Sequence, residues 1–388
     1  MRKSILFVIL ALAVFIIFST CTKNETTPTS PAATNTPINT PTNTPTNTPF
    51  DCSGVINFPD PNLEDKIRQA IGKPIGDIYA SDLTGLKNLD ASSSNITDIT
   101  GLQCCTNLEI LDLSFNNISN ISALSELTNL ISLSLILNNI SDISALKGLT
   151  KLQYLYLISN NISDINALKG LNNLQTLELT DNNISNINDI SNLTNLQQLG
   201  LAVNKINNIN ALSELTNMQY LNLSSNNNIS DISVLSGMTK LYYLGIAFNK
   251  ISDISVLSGL TNLQEIDLSY NNIDNISQLS SLTSLQYLLL SSNKISDISV
   301  LSGLTSLQYI DLSNNNITDI SVLSGLINLK YLNLFTNKIS DITALVTNCD
   351  AGGLGSGDYL NLKANPLSQQ AIDKDIPYLK DNGINVTY

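Results

Sequence analysis

The apolar residues of this chain recur with a fixed period of 22 residues from Leu86 to Leu345. When the first leucine of each repeat is offset 0, apolar side chains stand at offsets 0, 3, 5, 10, 13, 16 and 19. A fixed period of this length predicts a solenoid of stacked coils, which usually presents a long surface to a partner. The repeats begin at Leu86, Leu108, Leu130, Leu152, Leu174, Leu196, Met218, Leu241, Leu263, Leu285, Leu307 and Leu329.

The spacing within a repeat predicts one short strand followed by a slim return. Offsets 3 and 5 alternate with polar neighbours, as Leu288 and Leu290 do, which is typical of a strand with one buried face. The later apolar positions step by three, which fits 3₁₀-like turns better than an α-helix with its period of 3.6. Repeats of equal length make the strands parallel and in register.

Asparagine occupies offset 8 in every repeat except the first. An amide has donors and an acceptor, so these side chains are predicted to point inward and bond the backbone of adjacent coils. The repeat that begins at Met218 has 23 residues, and Asn227 or Asn228 is expected to loop out without shifting the strand register. The predicted ladder consists of Asn116, Asn138, Asn160, Asn182, Asn204, Asn226, Asn249, Asn271, Asn293, Asn315 and Asn337.

Phrases such as "LSNNNITDISVLSGLINLKYLNL" resemble the bacterial leucine-rich repeat proteins of the internalin-like, 22-residue class, over roughly residues 55–388. "FPDPNLEDKIRQAIGKPIGD" is similar to their N-terminal cap, and "NPLSQQAIDKDIPYLKDNGINVTY" to their C-terminal cap. The resemblance implies an α/β fold: a curved solenoid with a concave parallel β-sheet, an irregular or 3₁₀ convex side, a helical N-cap and a helix-strand C-cap. It also implies no cofactor and macromolecular binding on the concave face. A sortase anchor and an immunoglobulin-like module are not found, so an invasion-type role does not carry over.

Residues at both ends support such caps. Asp60 is placed to cap a helix that starts at Pro61, ends at Gly72 and lines one face with Leu63, Ile67 and Ile71. A second helix is predicted from Ser368, using Ile372 and Ile376 and broken or kinked at Pro377. Gly383 ends it, and a last edge strand is predicted from the alternation of Ile384, Val386 and Tyr388.

The N-terminus has the pattern of an export signal. Arg2 and Lys3 precede an apolar run from Ile5 to Phe18, which is too short to span a bilayer. Cys21 resembles the lipidated cysteine of a bacterial lipoprotein, with an ordinary secreted protein as the alternative. We therefore expect an exported protein on the bacterial cell surface or outer membrane, otherwise a secreted one.

The chain is divided into five segments on this basis: a signal peptide (1–20), a lipid-anchored Thr/Pro/Asn-rich linker (21–51), the N-terminal cap (52–85), the leucine-rich repeats (86–367) and the C-terminal cap (368–388). The prolines of the linker favour extended polyproline II structure, which predicts a tether that lifts the solenoid off a membrane. A disordered spacer without a set length is the alternative.

Composition narrows the function classes. The formal charge of −13 disfavours nucleic acid and direct adhesion to anionic lipid, so membrane contact is expected only through the N-terminal lipid. The chain has no histidine, which removes histidine-based triads and most zinc sites. We expect a monomer that is not an enzyme and holds no cofactor or metal.

The cysteines leave one pairing open. Cys105 at offset 19 is expected to replace an inward leucine. Cys349 lies eleven repeats away, about 50 Å at ~4.8 Å per strand, too far to reach the others. Cys52 with Cys104 is geometrically conceivable in an oxidising compartment.

An apolar patch is predicted on the outward face of the second to fourth coils. Offsets 2, 4 and 6 point outward if the leucines point inward, with offset 7 beside them. Contiguous exposed apolar area often marks an interface, whereas drift among ordinary strand residues is the alternative. The members of this N-terminal apolar patch are Ile110, Phe115, Ile136, Leu137, Tyr154, Tyr156 and Ile158.

Tyrosines recur at offset 2, and the last four lie on successive coils, where their rings are expected to stack. The structural interpretation is cross-strand stabilisation of ~0.2–1 kcal/mol per pair. The functional interpretation is a set of rigid contacts for protein or a platform for sugar rings. Nearby Asp267, Asp311, Asn333 and Asn361 suit either partner. This tyrosine column consists of Tyr154, Tyr220, Tyr243, Tyr287, Tyr309, Tyr331 and Tyr359.

Aspartates recur at offset 12, but asparagines interrupt the series, and a calcium site needs six to eight converging oxygens. Local turn bonding is the preferred interpretation. The members are Asp98, Asp142, Asp164, Asp231, Asp253, Asp297, Asp319 and Asp341. Taken together, the sequence predicts a non-enzymatic surface protein that binds a protein partner through its concave face. A glycan-binding module and a structural envelope or matrix component are the alternatives.

Overall fold

The computed structural model describes residues 51–388. The signal peptide, Cys21 and almost all of the linker lie outside the described residues, so the predictions made for them stay predictions.

One parallel sheet runs through the whole of this region, with its strands in chain order from β1 to β14. Each strand is three residues long, and equal offsets face one another, as in the pairing of Tyr309 with Tyr331. The predicted in-register parallel sheet is confirmed. The strands are Asn88–Asp90, Ile110–Asp112, Ser132–Ser134, Tyr154–Tyr156, Thr176–Glu178, Gln198–Gly200, Tyr220–Asn222, Tyr243–Gly245, Glu265–Asp267, Tyr287–Leu289, Tyr309–Asp311, Tyr331–Asn333, Tyr359–Asn361 and Asn385–Thr387.

The returns between strands contain 3₁₀ turns, as the three-residue steps predicted. The last return differs, because an α-helix, α3, over Thr343–Asp350 replaces the 3₁₀ turn and the inserted residues follow it. The 3₁₀ turns are Leu102–Cys104, Ser122–Glu126, Ser144–Leu146, Asn166–Leu168, Asn188–Ile190, Asn210–Leu212, Ser233–Gly237, Ser255–Gly259, Ser277–Ser281, Ser299–Gly303 and Ser321–Gly325.

The asparagine ladder is confirmed, and Asn138 shows how it works. Its Nδ2 donates to the carbonyl of Leu135 in its own coil at 3.2 Å and to that of Leu113 in the preceding coil at 3.0 Å. Its Oδ1 accepts the backbone N–H of Ile118 at 3.0 Å. Each buried amide therefore joins two coils. Asn365 makes the same bonds at the C-terminal end, where the insertion hid it from the repeat count.

The extra residue of the 23-residue repeat is Asn227, one of the two predicted positions. It adopts a left-handed backbone conformation with φ +63°. Asn226 keeps its place in the ladder, and Tyr220 still pairs with Tyr243. The insertion is absorbed outside the strand, so the register does not shift.

The N-terminal cap is built around Asp60. Its Oδ1 accepts the N–H groups of Asn62 and Leu63 at the start of α1, Pro61–Ile71. Its Oδ2 accepts the N–H groups of Thr97 and Asp98 in the first return, at 2.8 and 3.3 Å. One carboxylate thus caps the helix and joins it to the repeats. A short helix, α2, follows at Ala80–Leu83.

A disulfide joins Cys52 to Cys104, with 5.6 Å between their Cα atoms. It connects the segment before α1 to the first return. Cys105 is buried in the core, as its offset predicted, and Cys349 is not paired.

The C-terminal cap corrects one expectation. A π turn, Ala371–Asp375, leads directly into helix α4, Ile376–Asp381, which has Pro377 in its first turn. Ile376 is buried as expected, but Ile372 is exposed and does not contribute to the core. The wider π turn contains an extra residue, which turns Ile372 outward and leaves Ala371 facing inward.

Candidate binding surface on the concave face

The outward side chains of offsets 2, 4 and 6 line one face of the curved sheet. The leucines between them at offsets 3 and 5 are buried throughout the repeats. Side chains that project from the inner side of a curve converge, so each one is shielded by its neighbours on the flanking coils. This convergence decides which predicted residues are accessible.

Three members of the N-terminal apolar patch are not exposed. Ile136, Tyr156 and Ile158 are only 5–8% exposed, and they lie outside the continuous leucine core. They are covered on the concave face itself, since Tyr156 lies between Ser134 and Glu178 on the adjacent strands. The predicted exposure of these three residues was therefore wrong. The alternation pattern gave their direction correctly but not the crowding on the inner side of the curve.

The rest of the patch remains accessible to different degrees. Ile110 and Phe115 are 40% and 43% exposed, whereas Leu137 and Tyr154 are partly buried. The accessible apolar surface is thus smaller than predicted. It is centred on β2 and the residues that follow it.

The last four tyrosines of the tyrosine column stack as predicted. The ring centroids of Tyr309 and Tyr331 lie 4.0 Å apart with an angle of 2° between their planes, and those of Tyr331 and Tyr359 lie 4.8 Å apart. Tyr287 joins the stack at 6.1 Å from Tyr309. Both faces of Tyr331 and one face of Tyr309 are therefore in close contact with neighbouring rings, whereas Tyr287 at the end of the stack is 41% exposed.

A separate aromatic pair was missed. Phe248 and Tyr270 stack with centroids 4.0 Å apart, and they are 43% and 47% exposed. Both stand at offset 7, where six of the other eleven coils carry Ser, Asn or Asp. That departure was the available signal in the sequence, but only the structure shows that the two rings meet.

The offset 7 position has an unusual backbone. In every coil the residue there has a φ between +50° and +59°. A side chain with a Cβ is disfavoured in this left-handed region by roughly 1–2 kcal/mol, and Asn or Asp tolerates it best. Phe115, Leu137, Phe248 and Tyr270 are bulky residues at this position. Their presence is not explained by the local backbone.

A buried carboxyl group stands on β5, at a position that the sequence analysis did not single out. Glu178 is 9% exposed, and burial raises the pKa of its carboxyl to about 8. Its side chain lies across Gly200 on the next strand, where a β-carbon would overlap the carboxylate. The hydroxyls of Tyr156 and Tyr220 lie close enough for the charge of Glu178 to raise their pKa values further, beyond the main effect of burial.

The concave face is acidic along its length. Among the side chains at offsets 2, 4, 6 and 7 of the described coils, only that of Lys363 is cationic. Burial raises the pKa of Asp267, and the nearby charge of Asp311 adds to this effect. The acidic residues at these offsets are Asp90, Asp112, Glu178, Asp181, Glu265, Asp267 and Asp311.

The aspartates at offset 12 form local turns, as the preferred interpretation held. In Asp142, for example, Oδ1 accepts the backbone N–H of Ser144 at 2.8 Å. Asn120 and Asn186 make the same bond in the coils that lack an aspartate. Residues 51–388 gather no group of three or more acidic or thiol side chains that could hold a metal ion. None of the helices in this region has the length and apolar content that a bilayer crossing requires.

One short strand, one inward asparagine and one 3₁₀ turn per coil define a solenoid repeat protein with an open concave sheet. Family models described as leucine-rich repeats match residues 84–126, 128–170, 216–259 and 305–347, and a second leucine-rich repeat model matches 239–295. The chain belongs to the leucine-rich repeat family.

Solved structures refine this assignment. The chain is 34% identical to an internalin from Listeria monocytogenes, with a TM-score of 0.66, over 75% of this chain and 93% of that one. A leucine-rich repeat protein from Leptospira interrogans shares 22% identity, with a TM-score of 0.63, over 75% and 82% of the two chains.

A plant relative shows the same fold. The ectodomain of the receptor kinase GASSHO1/SCHENGEN3 from Arabidopsis thaliana, solved with Casparian strip integrity factor 2, shares 24% identity and a TM-score of 0.60, over 69% of this chain and 36% of that one. None of the curated protein sequences compared with the chain matches it.

Proposed function

We propose that this chain is a non-enzymatic binding protein, tethered to a bacterial surface, that recognises a protein partner through the concave face of its solenoid. The observation that carries the proposal is the exposed aromatic pair Phe248 and Tyr270. Large exposed apolar side chains contribute little to folding, and here they also occupy a disfavoured backbone region. Aromatic side chains of this kind are enriched where one protein contacts another.

The same reasoning extends to the N-terminal half of the face. Phe115 and Leu137 stand at the same left-handed offset, and Ile110 is exposed beside them. Together with Tyr154, these residues make a second apolar contact surface.

The tyrosine column supports a protein partner more than a glycan. A sugar ring stacks on the open face of an aromatic ring, and close ring contacts already cover both faces of Tyr331 and one face of Tyr309. The column instead presents a row of ring edges and hydroxyls. The stacked rings form a rigid surface. Nearer the N-terminus, Tyr220 stacks on Tyr243 in the same way, with 4.4 Å between the ring centroids.

The tether completes the proposal. Cys21 would carry the lipid, and the Thr/Pro/Asn-rich linker would hold the solenoid away from the membrane. The plant receptor ectodomain solved with a ligand shares the fold, which supports macromolecular recognition as a use for this kind of surface.

Proximity labelling on intact cells tests this function. A labelling enzyme is fused to the C-terminus of the wild type, of a Phe248→Ser/Tyr270→Ser variant and of an Ile327→Ser control. Ile327 is exposed like the aromatic pair but lies on the return side of its coil, away from the sheet. Wild type and control are expected to label the same few proteins, and the double variant should lose them.

Equal labelling by all three proteins would contradict the proposal. A glycan array probed with the purified wild type tests the alternative partner, a glycan. Retention of a glycan by the wild type and its loss in the double variant would replace the protein partner by a carbohydrate.

A further inference from the structure

The carboxylate of Glu178 has no hydrogen-bond or ion-pair partner among residues 51–388. Buried polar groups are normally bonded, and a buried carboxylate without a partner is strongly unfavourable. The buried amide of Asn182 follows that rule with its bonds to two coils, whereas Ser159 Oγ and Gln278 Oε1 are buried without a partner. Glu178 therefore lacks an interaction that the folded chain alone does not supply.

The sequence around Glu178 makes room for its side chain. Gly200 follows it at the same offset on β6, and the next outward residue on that strand is Ala202. The carboxylate lies over Gly200, in space that any larger residue would fill. The missing side chain at Gly200 leaves space on the concave face, and the carboxyl group of Glu178 occupies it.

Aromatic side chains stand on both sides of this space. Tyr156 lies on β4, the strand before that of Glu178. Tyr220 lies on β7, two strands after that of Glu178, and its ring stacks on the ring of Tyr243. The titratable groups that face Glu178 are the hydroxyls of Tyr156 and Tyr220, and burial raises the pKa of each, so both are neutral near pH 7. No cation among the described residues faces the carboxylate.

A carboxylate flanked by aromatic rings suits one ligand class best. Organic cations gain from a carboxylate charge and from the electron-rich faces of aromatic rings. The acidic residues along the rest of the face attract the same class of ligand, and Lys363 lies far from Glu178 near the C-terminal end.

We propose that Glu178, Gly200 and the flanking Tyr156 and Tyr220 form a subsite that receives a lysine or arginine side chain of the protein partner. The inference rests on the proposed function, and it assigns to the partner a basic residue that is inserted at the middle of the sheet. A lysine or arginine side chain would favour the charged form of Glu178, whereas a neutral side chain would leave the carboxyl group largely protonated near pH 7, so the contact selects for a cation.

Titration of Glu178 in the presence of small cationic probes tests the subsite without knowledge of the partner. The full chain is labelled with ¹³C at the glutamate carboxyl carbon, and the Glu178 signal is assigned by its loss in Glu178→Gln. The probes are Nα-acetyl-lysine methylamide and the neutral, similarly shaped Nα-acetyl-norleucine methylamide. The lysine probe is expected to lower the pKa of Glu178 by about one pH unit or more, because a neighbouring cation favours the charged form. The norleucine probe should leave it unchanged.

Two variants make the assay selective. Gly200→Ala keeps the charge but displaces the carboxylate from its place, so the effect of the lysine probe should disappear. Glu214→Gln removes an exposed acid that lies off the concave face and should leave the effect intact. A lysine probe that shifts Glu178 no more than the norleucine probe does, or equally in Gly200→Ala, would overturn the subsite.

The two proposals fail separately. Loss of labelled partners in the Phe248→Ser/Tyr270→Ser variant with no probe effect at Glu178 would leave the binding function standing and remove the cation subsite. A probe effect at Glu178 without any protein partner at the concave face would leave the cation subsite standing and remove the proposed binding function.

Discussion

Replacement of Glu178 by glutamine should stabilise the fold, and the gain should grow with pH. The folded chain buries this carboxyl and raises its pKa to about 8, from an ordinary value of 4.5. An acid whose pKa is higher in the folded than in the unfolded state binds more protons when folded between those two values. Folding stability therefore falls as the pH rises through this window. The glutamine amide of the variant does not titrate, so the variant escapes that loss.

The magnitude follows from the two pKa values. Each pH unit between about 4.5 and 8 removes about 1.4 kcal/mol of stability from the wild type, which amounts to ~5 kcal/mol over the window. Relaxation of the side chain toward solvent would reduce this value, so ~5 kcal/mol is an upper bound. The difference between variant and wild type should be smallest near pH 4.5 and largest above pH 8.

Urea unfolding at several pH values between these limits, followed by circular dichroism, measures this difference. Other acids affect both proteins equally, so their contributions cancel in the comparison. Glu214→Gln at an exposed position serves as the control and should stay close to the wild type at every pH. If the Glu178→Gln and wild-type stabilities run parallel across the range, the carboxylate is not buried as described and the argument from its desolvation is refuted.

Three further predictions concern the scaffold. Asn138→Ala should destabilise the protein by ~1–3 kcal/mol in urea unfolding, because it leaves the buried N–H of Ile118 without a partner and removes one of the two amide donors to the carbonyls of Leu113 and Leu135. Asn129→Ala removes two exposed hydrogen bonds and should cost under about 1 kcal/mol; equal costs would refute the ladder's role. Burial alone would raise the pKa of Asp60, but four backbone N–H donors hold this pKa below its ordinary value. Asp60→Ala should therefore lower the thermal midpoint at pH 7, and the loss of stability should become progressively smaller as the pH falls below about 4. A loss of stability that does not vary with pH would contradict this role of the carboxylate. Cys104→Ser removes the disulfide between residues separated by 52 positions and should lower the free energy of unfolding by at most about 4 kcal/mol in non-reducing buffer. A reductant should not destabilise the variant further, and a reductant effect equal to that in the wild type would contradict this prediction.

Repetition explains why the architecture could be predicted. Each position in the coil is sampled many times along the chain, so the inward direction of offsets 3 and 5 and the bonding role of offset 8 are legible from residue types alone. The place of the inserted Asn227 follows from the same count. Beyond the last repeat, side-chain directions were harder to predict. Ile372 turns outward because a π turn supplies an extra residue, and the local sequence does not indicate that turn.

The concave surface was less predictable because accessibility there depends on curvature and on neighbours. Alternation places Tyr156 on the correct side, but the adjacent strands cover it. The Phe248 and Tyr270 pair depends on two side chains meeting across coils, and the left-handed backbone at offset 7 is invisible when the residues there vary freely. The burial of Glu178 required knowing that Gly200 lies beside it, which is a consequence of register rather than of sequence order.

Hydroxyl-radical footprinting of the solenoid with and without a partner recovered by proximity labelling tests the central claim most directly. The method reads side-chain accessibility, and Phe115, Phe248, Tyr270 and Ile327 are all reactive and exposed in the free protein. Bound partner should protect the three aromatic residues of the sheet side and leave Ile327 unchanged. Protection of Ile327 with full reactivity at Phe248 and Tyr270 would show that the partner binds elsewhere and would contradict recognition by the concave face.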